Sequence, residues 1–227
     1  MQTIPIVESH YDSVPVFPLP TFVLFPQTTT RLHVFEPRYR QLVSDALSTQ
    51  RLIVLVGLKP GWESDYYGTP PSYEVGTLAR IVNEERLGDG RYNLYVHSLA
   101  RVRLRTLHTL TPYRTAEVEV LHDELGDAAA VDESMVRLVA TVRGLMLQRG
   151  EHASALAAAI SSTRKPAILT HRLASVLAFD PLVRQQLLET VSVLDRCERL
   201  IELAGELLLR STELELQGRD NNAEWIN

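Results

Sequence analysis

The chain has 227 residues, of which 45% are hydrophobic and 22% charged, and its formal net charge is -5. These values are typical of a globular protein and exclude a disordered chain, a fibrous chain and a polycation that binds nucleic acid through bulk charge. The single cysteine excludes an intrachain disulfide, and neither a signal peptide nor an apolar stretch of the roughly 18 residues that span a bilayer is found, so we predict a soluble, cytoplasmic protein.

The first half of the chain is predicted to consist mainly of strands. Three prolines hold residues 14–20 extended, and residues 29–35 alternate polar and apolar side chains, as a half-buried strand does. Residues 39–47 carry apolar side chains at helical spacing, which predicts one short helix. Residues 52–58 form a continuous apolar run of strand length, which predicts a strand buried on both faces.

Glycines and strict alternation predict four more strands. Gly88-Asp89-Gly90 favours a hairpin between strands at 75–82 and 91–96, because glycine tolerates positive φ. Two further strands, at 101–105 and 115–120, alternate strictly. Short strands at this spacing are typical of a small barrel or sandwich.

Near residue 124 the apolar period changes from two to 3.6, which predicts four helices. These cover about 131–150, about 151–160, a segment beginning at Pro166, and a long last helix from Pro181 to about 216 that Asp180 caps. The predicted class is α+β, with a β-rich subdomain over 1–123, a helical subdomain over 124–217 and a flexible tail over 218–227.

Motifs that would indicate catalysis or a cofactor are missing from the sequence. There is no Walker A motif, Rossmann glycine pattern, zinc helix or Gly-x-Ser-x-Gly, and the seven histidines and one cysteine lack zinc spacing. Lys165 lies in a polar segment, which favours an interhelical turn over a serine–lysine dyad. Cys197 lies on or beside the apolar stripe of the last helix, which favours a buried thiol over a nucleophile. We therefore predict no catalytic residue, no metal and no cofactor.

An aromatic loop at residues 59–73 is the candidate protein-binding site. It lies between two predicted strands and carries four side chains of the kind enriched at binding hot spots: Trp62, Tyr66, Tyr67 and Tyr73. The alternative is that these side chains cover the open end of the barrel and pack internally.

An arginine stripe is the second candidate surface. Arg101, Arg103 and Arg105 alternate along one strand, and Arg80, Arg86 and Arg91 are candidates to lie nearby. We interpret the stripe as a solvated sheet face paired with Glu117 and Glu119, since cross-strand ion pairs of this kind contribute about 0.2–1 kcal/mol each. The alternative is a surface that holds RNA phosphates.

Several separate segments resemble the N-terminal substrate-binding domain of Lon proteases, in the same order and over about residues 14–210. The resemblance is carried by Phe17-Pro18-Leu19-Pro20, Val23-Leu24-Phe25-Pro26, Leu32-His33-Val34-Phe35-Glu36-Pro37-Arg38-Tyr39, Val75-Gly76-Thr77-Leu78-Ala79-Arg80-Ile81, Asp89-Gly90-Arg91-Tyr92-Asn93-Leu94, Tyr113-Arg114-Thr115-Ala116-Glu117-Val118, Leu173-Ala174-Ser175-Val176-Leu177 and Arg184-Gln185-Gln186-Leu187-Leu188-Glu189-Thr190.

The resemblance implies a PUA-like β-barrel with one short helix, followed by a four-helix bundle with a long last helix. It also implies a domain that contacts polypeptide substrates. Because the ATPase and protease motifs of Lon are missing from this sequence, we expect a stand-alone, non-enzymatic module that binds unfolded or partner polypeptides. The alternatives are RNA binding through the barrel and an enzyme with a site between barrel and bundle. We also predict a homodimer that forms through the helical part.

Overall fold

The structure is a computed structural model that describes residues 8–66, 68–109, 112–148, 153–177 and 179–223, with side chains as far as Arg210. The chain folds as an α+β protein with two compact units. Unit 1 combines Met1–His122 with Phe179–Glu189, and unit 2 combines Asp123–Ala178 with Thr190–Asn227.

The described residues form six strands, six α-helices and one short 3-10 helix. In chain order they are β1 (His10–Leu19), β2 (Thr29–Val34), α1 (Pro37–Leu47), β3 (Leu52–Gly57), the 3-10 helix (Trp62–Asp65), β4 (Val75–Arg86), β5 (Tyr92–His108), β6 (Arg114–Leu121), α2 (Ala128–Gln148), α3 (Ala153–Ser162), α4 (Pro166–Val176), α5 (Pro181–Glu189) and α6 (Val193–Ala223).

Unit 1 is built on one mixed sheet with the strand order β2-β5-β4-β3-β1-β6. β1 and β3 are parallel, with Val16 opposite Val54, and the other neighbours are antiparallel. β5 also pairs with β6, so the five strands β5-β4-β3-β1-β6 form a closed ring of hydrogen-bonded neighbours. Ring closure leaves β2, which pairs with β5, as an edge strand.

The core of unit 1 lies on both faces of this sheet. Successive side chains of a strand point to opposite faces, and in β3 Val54 joins one apolar cluster while Ile53 and Leu55 join another. The second of these clusters contains Leu42 and Val43 of α1. All six residues of β3 are buried, which confirms the prediction of a strand buried on both faces.

The predicted hairpin around Gly88-Asp89-Gly90 is confirmed, but its second strand is longer than predicted. The Gly90 N–H donates to the Leu87 carbonyl at 2.9 Å, and Gly90 has a φ of 84°. Beyond the turn, the segments predicted as separate strands at 91–96 and 101–105 are one strand, β5. Its pairing with β4 shifts register twice, with Leu99 of β5 unpaired at one shift and Val82 of β4 at the other, so a single irregular strand forms where two strands were expected.

Unit 2 contains the other four helices, and its core is the apolar faces of α2 and α6. The buried side chains of α2 recur at helical spacing: Val131, Ser134, Met135, Leu138, Val142 and Leu145. At this contact the Cys197 thiol of α6 lies 3.7 Å from the Met135 sulfur, and the Ser134 hydroxyl donates to the Glu198 carboxylate.

The prediction of one uninterrupted helix from residue 181 to about 216 is wrong, because the chain breaks between α5 and α6. The Glu124 N–H donates to the Val191 carbonyl at 3.0 Å, and the Val193 N–H donates to the Glu124 carbonyl at 2.9 Å. The Ser192 hydroxyl then accepts the Asp195 N–H at 3.1 Å, as a helix N-cap does. This pairing and this cap satisfy backbone groups that a continuous helix would bond internally.

The two helices on either side of this break differ from the prediction in other ways. α5 lies in unit 1, whereas residues 181–189 are predicted to belong to the helical subdomain. The backbone of α6 is helical to Ala223, past the start of the predicted tail at residue 218, since Gly218 costs a helix only about 1 kcal/mol. Residues 224–227 lie outside the described part. No described helix combines the length and apolar character needed to cross a bilayer.

Candidate functional site

The aromatic loop leaves the sheet at the end of β3 and returns before β4, and backbone pairing closes its base. The Lys59 N–H donates to the Pro71 carbonyl at 2.9 Å, and the Tyr73 N–H donates to the Gly57 carbonyl at 3.0 Å. Gly61 adopts a φ of 88° and begins the 3-10 helix that carries Trp62. The backbone pairing ties both ends of the loop together at the sheet.

An apolar groove of about 280 Å³ lies beside this loop. Trp62 and Tyr73, both half-buried, line it. The other apolar lining comes from three segments of unit 1: Phe22 and Val23 after β1, Leu58 and Pro60 after β3, and Pro181 and Leu182 at the start of α5. We call this cavity the aromatic groove.

The rim of the aromatic groove is acidic. Glu63 and Asp180 are the charged residues of its lining, and Lys59 Nζ lies 6.0 Å from the centroid of the Tyr73 ring that lines the groove. The Asp180 carboxylate accepts the N–H groups of Leu182 and Val183 at 2.9 and 3.0 Å, so it caps α5 while it contributes negative charge. Leu182 remains 53% exposed. The groove thus offers an apolar floor that is open to solvent, with negative charge at its edge.

Tyr66 serves the loop in a different way from Trp62 and Tyr73. Its ring meets the Trp62 ring edge-on, with centroids 5.5 Å apart, and its hydroxyl donates to the Glu36 carboxylate at 2.6 Å. This hydrogen bond, with burial, raises the pKa of Tyr66 to about 12. Arg38 donates to the Tyr66 carbonyl at 3.0 Å. Tyr66 therefore links the 3-10 helix to the N-terminus of α1 and packs against Trp62.

The structure brings two of the four predicted aromatic residues into one groove. Tyr66 lies against a separate cavity, and Tyr67 lies outside the described residues. Sequence reasoning missed Phe22, Asp180 and Leu182, which complete the groove. The signals were present in the Pro20-Thr21-Phe22 and Asp180-Pro181-Leu182 segments, where an apolar residue lies one or two positions after a proline.

The arginine stripe is not the uniformly solvated face that the sequence predicts. Arg101 is 1% exposed and donates to the Leu188 carbonyl of α5 at 3.1 Å, because α5 covers this end of β5. Arg105 forms the predicted kind of cross-strand ion pair, with Glu119. Arg91 pairs with Asp89 in the hairpin turn. The exposed cationic surface is therefore smaller than the alternating pattern indicates.

Unit 2 contains the two residues considered as nucleophiles, Cys197 and Lys165. Cys197 is buried, as predicted, and burial raises the pKa of its thiol to about 11, so the thiol is protonated at neutral pH. Lys165 is exposed in the turn before α4, as predicted. Within the described residues no group of three or more His, Cys, Asp or Glu side chains is placed to hold a metal ion.

Comparison with known proteins gives consistent similarities. The family model of the ATP-dependent protease La (LON) substrate-binding domain matches residues 13–205. Lon protease 1 of Thermus thermophilus is 33% identical over 208 residues, which are 88% of this chain and 25% of that protein. Lon protease 2 of Sorangium cellulosum is 29% identical over 203 residues, 87% of this chain and 25% of that protein. The chain thus spans about a quarter of the length of these relatives.

Two solved structures have a similar fold. The N-terminal domain of the Mycobacterium avium complex Lon protease superimposes with a TM-score of 0.64 at 21% identity, covering 86% of this chain and 98% of that one. A Lon N-terminal domain protein from Xanthomonas campestris superimposes with a TM-score of 0.61 at 25% identity, covering 85% and 98%. The similarity to the first of these is one of fold alone.

Proposed function

The chain belongs to the LON substrate-binding domain family, and from this membership we propose that it binds unfolded or partner polypeptides through the aromatic groove. The groove accepts a large apolar side chain, and the neighbouring residue of the bound segment is basic. The observation that carries the proposal is an open apolar floor built around Trp62 and Tyr73 within an acidic rim.

The size and lining of the groove support a side chain as its occupant. At about 280 Å³ the groove is just smaller than typical ligand pockets, whose volumes begin near 300 Å³, so it has room for one or two side chains. Burying one large apolar side chain contributes roughly 1.5–3 kcal/mol. Such a contact is weak alone and suits a surface that samples many exposed apolar segments.

The acidic rim selects among those segments. Glu63 and Asp180 are the charged residues of the groove lining, so a Lys or Arg next to the bound side chain meets a favourable charge. Complementary rim charge contributes more to association rate and selectivity than to affinity.

The proposal includes an interpretation of the fold. We interpret the closed ring of strands as a PUA-like barrel and the helices of unit 2 as the helical bundle that follows it in the family. We assign the chain no catalytic step, because the sequence lacks the phosphate loop and nucleophile motifs that such a step requires. The burial of Arg101 favours polypeptide binding over RNA binding, because it removes one cation from the arginine stripe.

Trp62→Ala tests the groove. The probe is a fluorescein-labelled peptide with one phenylalanine between two arginines, and its Kd for the full chain is measured by fluorescence anisotropy. Losing a buried tryptophan contact of about 2 kcal/mol weakens binding roughly 30-fold. Phe35→Ala is the matched control, because Phe35 is an aromatic residue of unit 1 that is 57% exposed outside the groove. Equal Kd values for the Trp62→Ala variant and the wild type would remove the groove from the proposal.

Asp180→Asn tests the rim. Asparagine keeps the cap of α5 but removes the negative charge, so we expect weaker binding of the arginine-flanked peptide. A second peptide, with serine in place of both arginines, is expected to bind the variant and the wild type equally. If both peptides lose affinity to the same extent, the rim charge does not select the sequence.

A further inference from the structure

β2 is an edge strand, and its outer side meets no other strand in the described part of the chain. Its residues, Thr29–Val34, pair with β5 alone, in a regular register that places Arg31 opposite Tyr95. The backbone of an edge strand presents unpaired N–H and C=O groups on its free side, and a further extended chain can pair with them. The sheet of unit 1 therefore has an open position for a strand beside β2.

Two hydrogen bonds show which backbone groups of β2 face this free side. The Ser98 N–H of β5 donates to the Thr28 carbonyl at 2.9 Å, and at the hairpin the Leu87 N–H donates to the Arg91 carbonyl at 2.8 Å. In an antiparallel ladder, hydrogen-bonded pairs alternate with non-hydrogen-bonded pairs. Both bonds then direct the even-numbered residues of β5 towards β2, where they pair with the even-numbered residues of that strand. The N–H and C=O groups of the odd-numbered residues of β2 face outward.

The side chains of these odd-numbered residues, Thr29, Arg31 and His33, are exposed, and each contacts β5. The Arg31 guanidinium lies 5.2 Å from the centroid of the Tyr95 ring, and His33 Nδ1 lies 2.8 Å from the side-chain oxygen of Asn93. The Thr29 hydroxyl lies 3.0 Å from a histidine nitrogen of β5. These contacts hold the three side chains against the neighbouring strand.

β2 has few of the features that keep natural edge strands from pairing. Such strands are commonly very short, twisted by a bulge, or protected by lysine and proline. Residues 29–34 contain neither lysine nor proline, and their register with β5 has no shift. The formal charge in this strand belongs to Arg31, which contacts the Tyr95 ring. The edge is therefore suited to pairing with the backbone of another chain.

An extended polypeptide is the occupant whose chemistry fits this edge, because a peptide backbone repeats N–H and C=O groups at the spacing of a strand. At the centre of the edge, Leu32 is half-buried against the apolar core of unit 1, so an apolar side chain beside it on the added strand is favourable. On the outer face, Arg31 forms no ion pair with a described residue. A carboxylate beside Arg31 is therefore favourable as well.

We propose that β2 binds an extended polypeptide segment as an added antiparallel strand, hydrogen-bonded to the N–H and C=O groups of residues 29, 31 and 33. Apolar residues of the segment alternate with polar ones, and an acidic residue lies beside Arg31. In such binding the backbone pairing supplies affinity and the alternate side chains supply specificity. The inference rests on the polypeptide binding proposed above, but it uses a separate surface and an acidic segment, whereas the aromatic groove takes a basic one.

The probe is a seven-residue peptide, acetylated and amidated, in which valines alternate with threonines and one central glutamate. Its binding to the full chain is followed by amide hydrogen exchange in ¹⁵N–¹H NMR spectra. We expect the N–H groups of residues 29, 31 and 33 to exchange rapidly in the free chain and about tenfold more slowly at roughly nine-tenths occupancy, because only the free fraction exchanges. Because the peptide has no aromatic and no basic residue, the outcome of the groove test does not affect this one.

Arg31→Pro tests the backbone directly. Proline removes one outward N–H and no bond to β5, and proline is tolerated at such edge positions. Arg31→Ala is the matched control, because it removes the same charge and keeps the N–H. We expect the Arg31→Pro variant to bind the peptide about tenfold more weakly than the Arg31→Ala variant, from the lost hydrogen bond. Equal Kd values for the two variants would overturn the proposal.

Two N-methylated forms of the peptide test the pairing without a change in the protein. In an antiparallel added strand the outer-face residues donate to β2, so N-methylation of the threonines and the glutamate abolishes binding and N-methylation of the valines does not. Equal effects of the two sets overturn the proposal. So does slow exchange of residues 29, 31 and 33 without peptide, whether constant or rising with protein concentration as in pairing with a second copy. If Arg31→Pro fails to fold, the exchange and the methylated peptides still decide.

Discussion

Three buried arginines show that one residue type has different roles in this chain. Arg101 donates to a backbone carbonyl of α5, and Arg114 donates to the Pro70 carbonyl. Arg196, which is 0% exposed, is saturated within unit 2: it donates to the Thr170 hydroxyl at 3.0 Å, the Thr190 carbonyl at 2.7 Å and the Asp123 carboxylate at 2.7 Å. The three buried guanidinium groups therefore differ in their partners, and of the three only Arg196 is shown with a hydrogen bond to a carboxylate.

Asp123→Ala is expected to destabilise the chain strongly, because it leaves the Arg196 charge buried without its carboxylate. Breaking a buried pair in this way costs about 3–5 kcal/mol, measured as the free energy of unfolding in urea by circular dichroism. Glu119→Ala is the control. It removes a half-exposed partner of Arg105, and exposed pairs contribute at most about 1 kcal/mol. Similar losses for the two variants would show that Asp123 does not compensate a buried charge.

Sequence periodicity anticipates the elements better than it anticipates where they bend or break. The run of β3 and the turn at Gly90 follow from local rules, because apolar continuity and positive φ are properties of the segment itself. The break after α5 depends on Glu124, which is more than sixty residues away and pairs with the backbone at Val191 and Val193. The continuity of β5 likewise depends on its neighbours. Such contacts leave no signal in the local sequence.

Gly76→Ala is expected to disturb the pairing of β3 and β4. A Cβ at residue 76 would lie 2.6 Å from the Leu55 carbonyl oxygen, a backbone atom that cannot rotate away. We expect a loss of about 1–3 kcal/mol in unfolding free energy, as for overpacking in a core. Gly88→Ala is the matched control, because a Cβ there meets nothing within 4 Å and both substitutions restrict the unfolded chain equally. Equal stability of the two variants would contradict this account of the close approach.

At the scale of the whole molecule, the family was predictable from sequence and the candidate site was predictable only in part. The family motifs are short contiguous segments, and each is visible in the chain. The aromatic groove is assembled from residues 21–23, 57–63, 73 and 180–182, so only its Trp62 and Tyr73 wall lies in one recognisable loop. The burial of Arg114 was not predicted, because it depends on contacts such as the hydrogen bond to the Pro70 carbonyl, which is distant in sequence.

We expect the predicted homodimer to form through the exposed face of α2. Val136 and Leu147 are 71% and 90% exposed. They are eleven residues apart, about three helical turns, and so lie on the same face. Apolar side chains that share an exposed face favour an interface, and a two-fold dimer would bury this face on both subunits.

We expect the wild type to sediment as a dimer with increasing concentration and the Val136→Glu, Leu147→Glu double variant to sediment as a monomer. Leu125→Glu, which alters a 54% exposed leucine outside α2, should leave the dimer intact. A wild type that stays monomeric at every concentration would show that this face is free in solution.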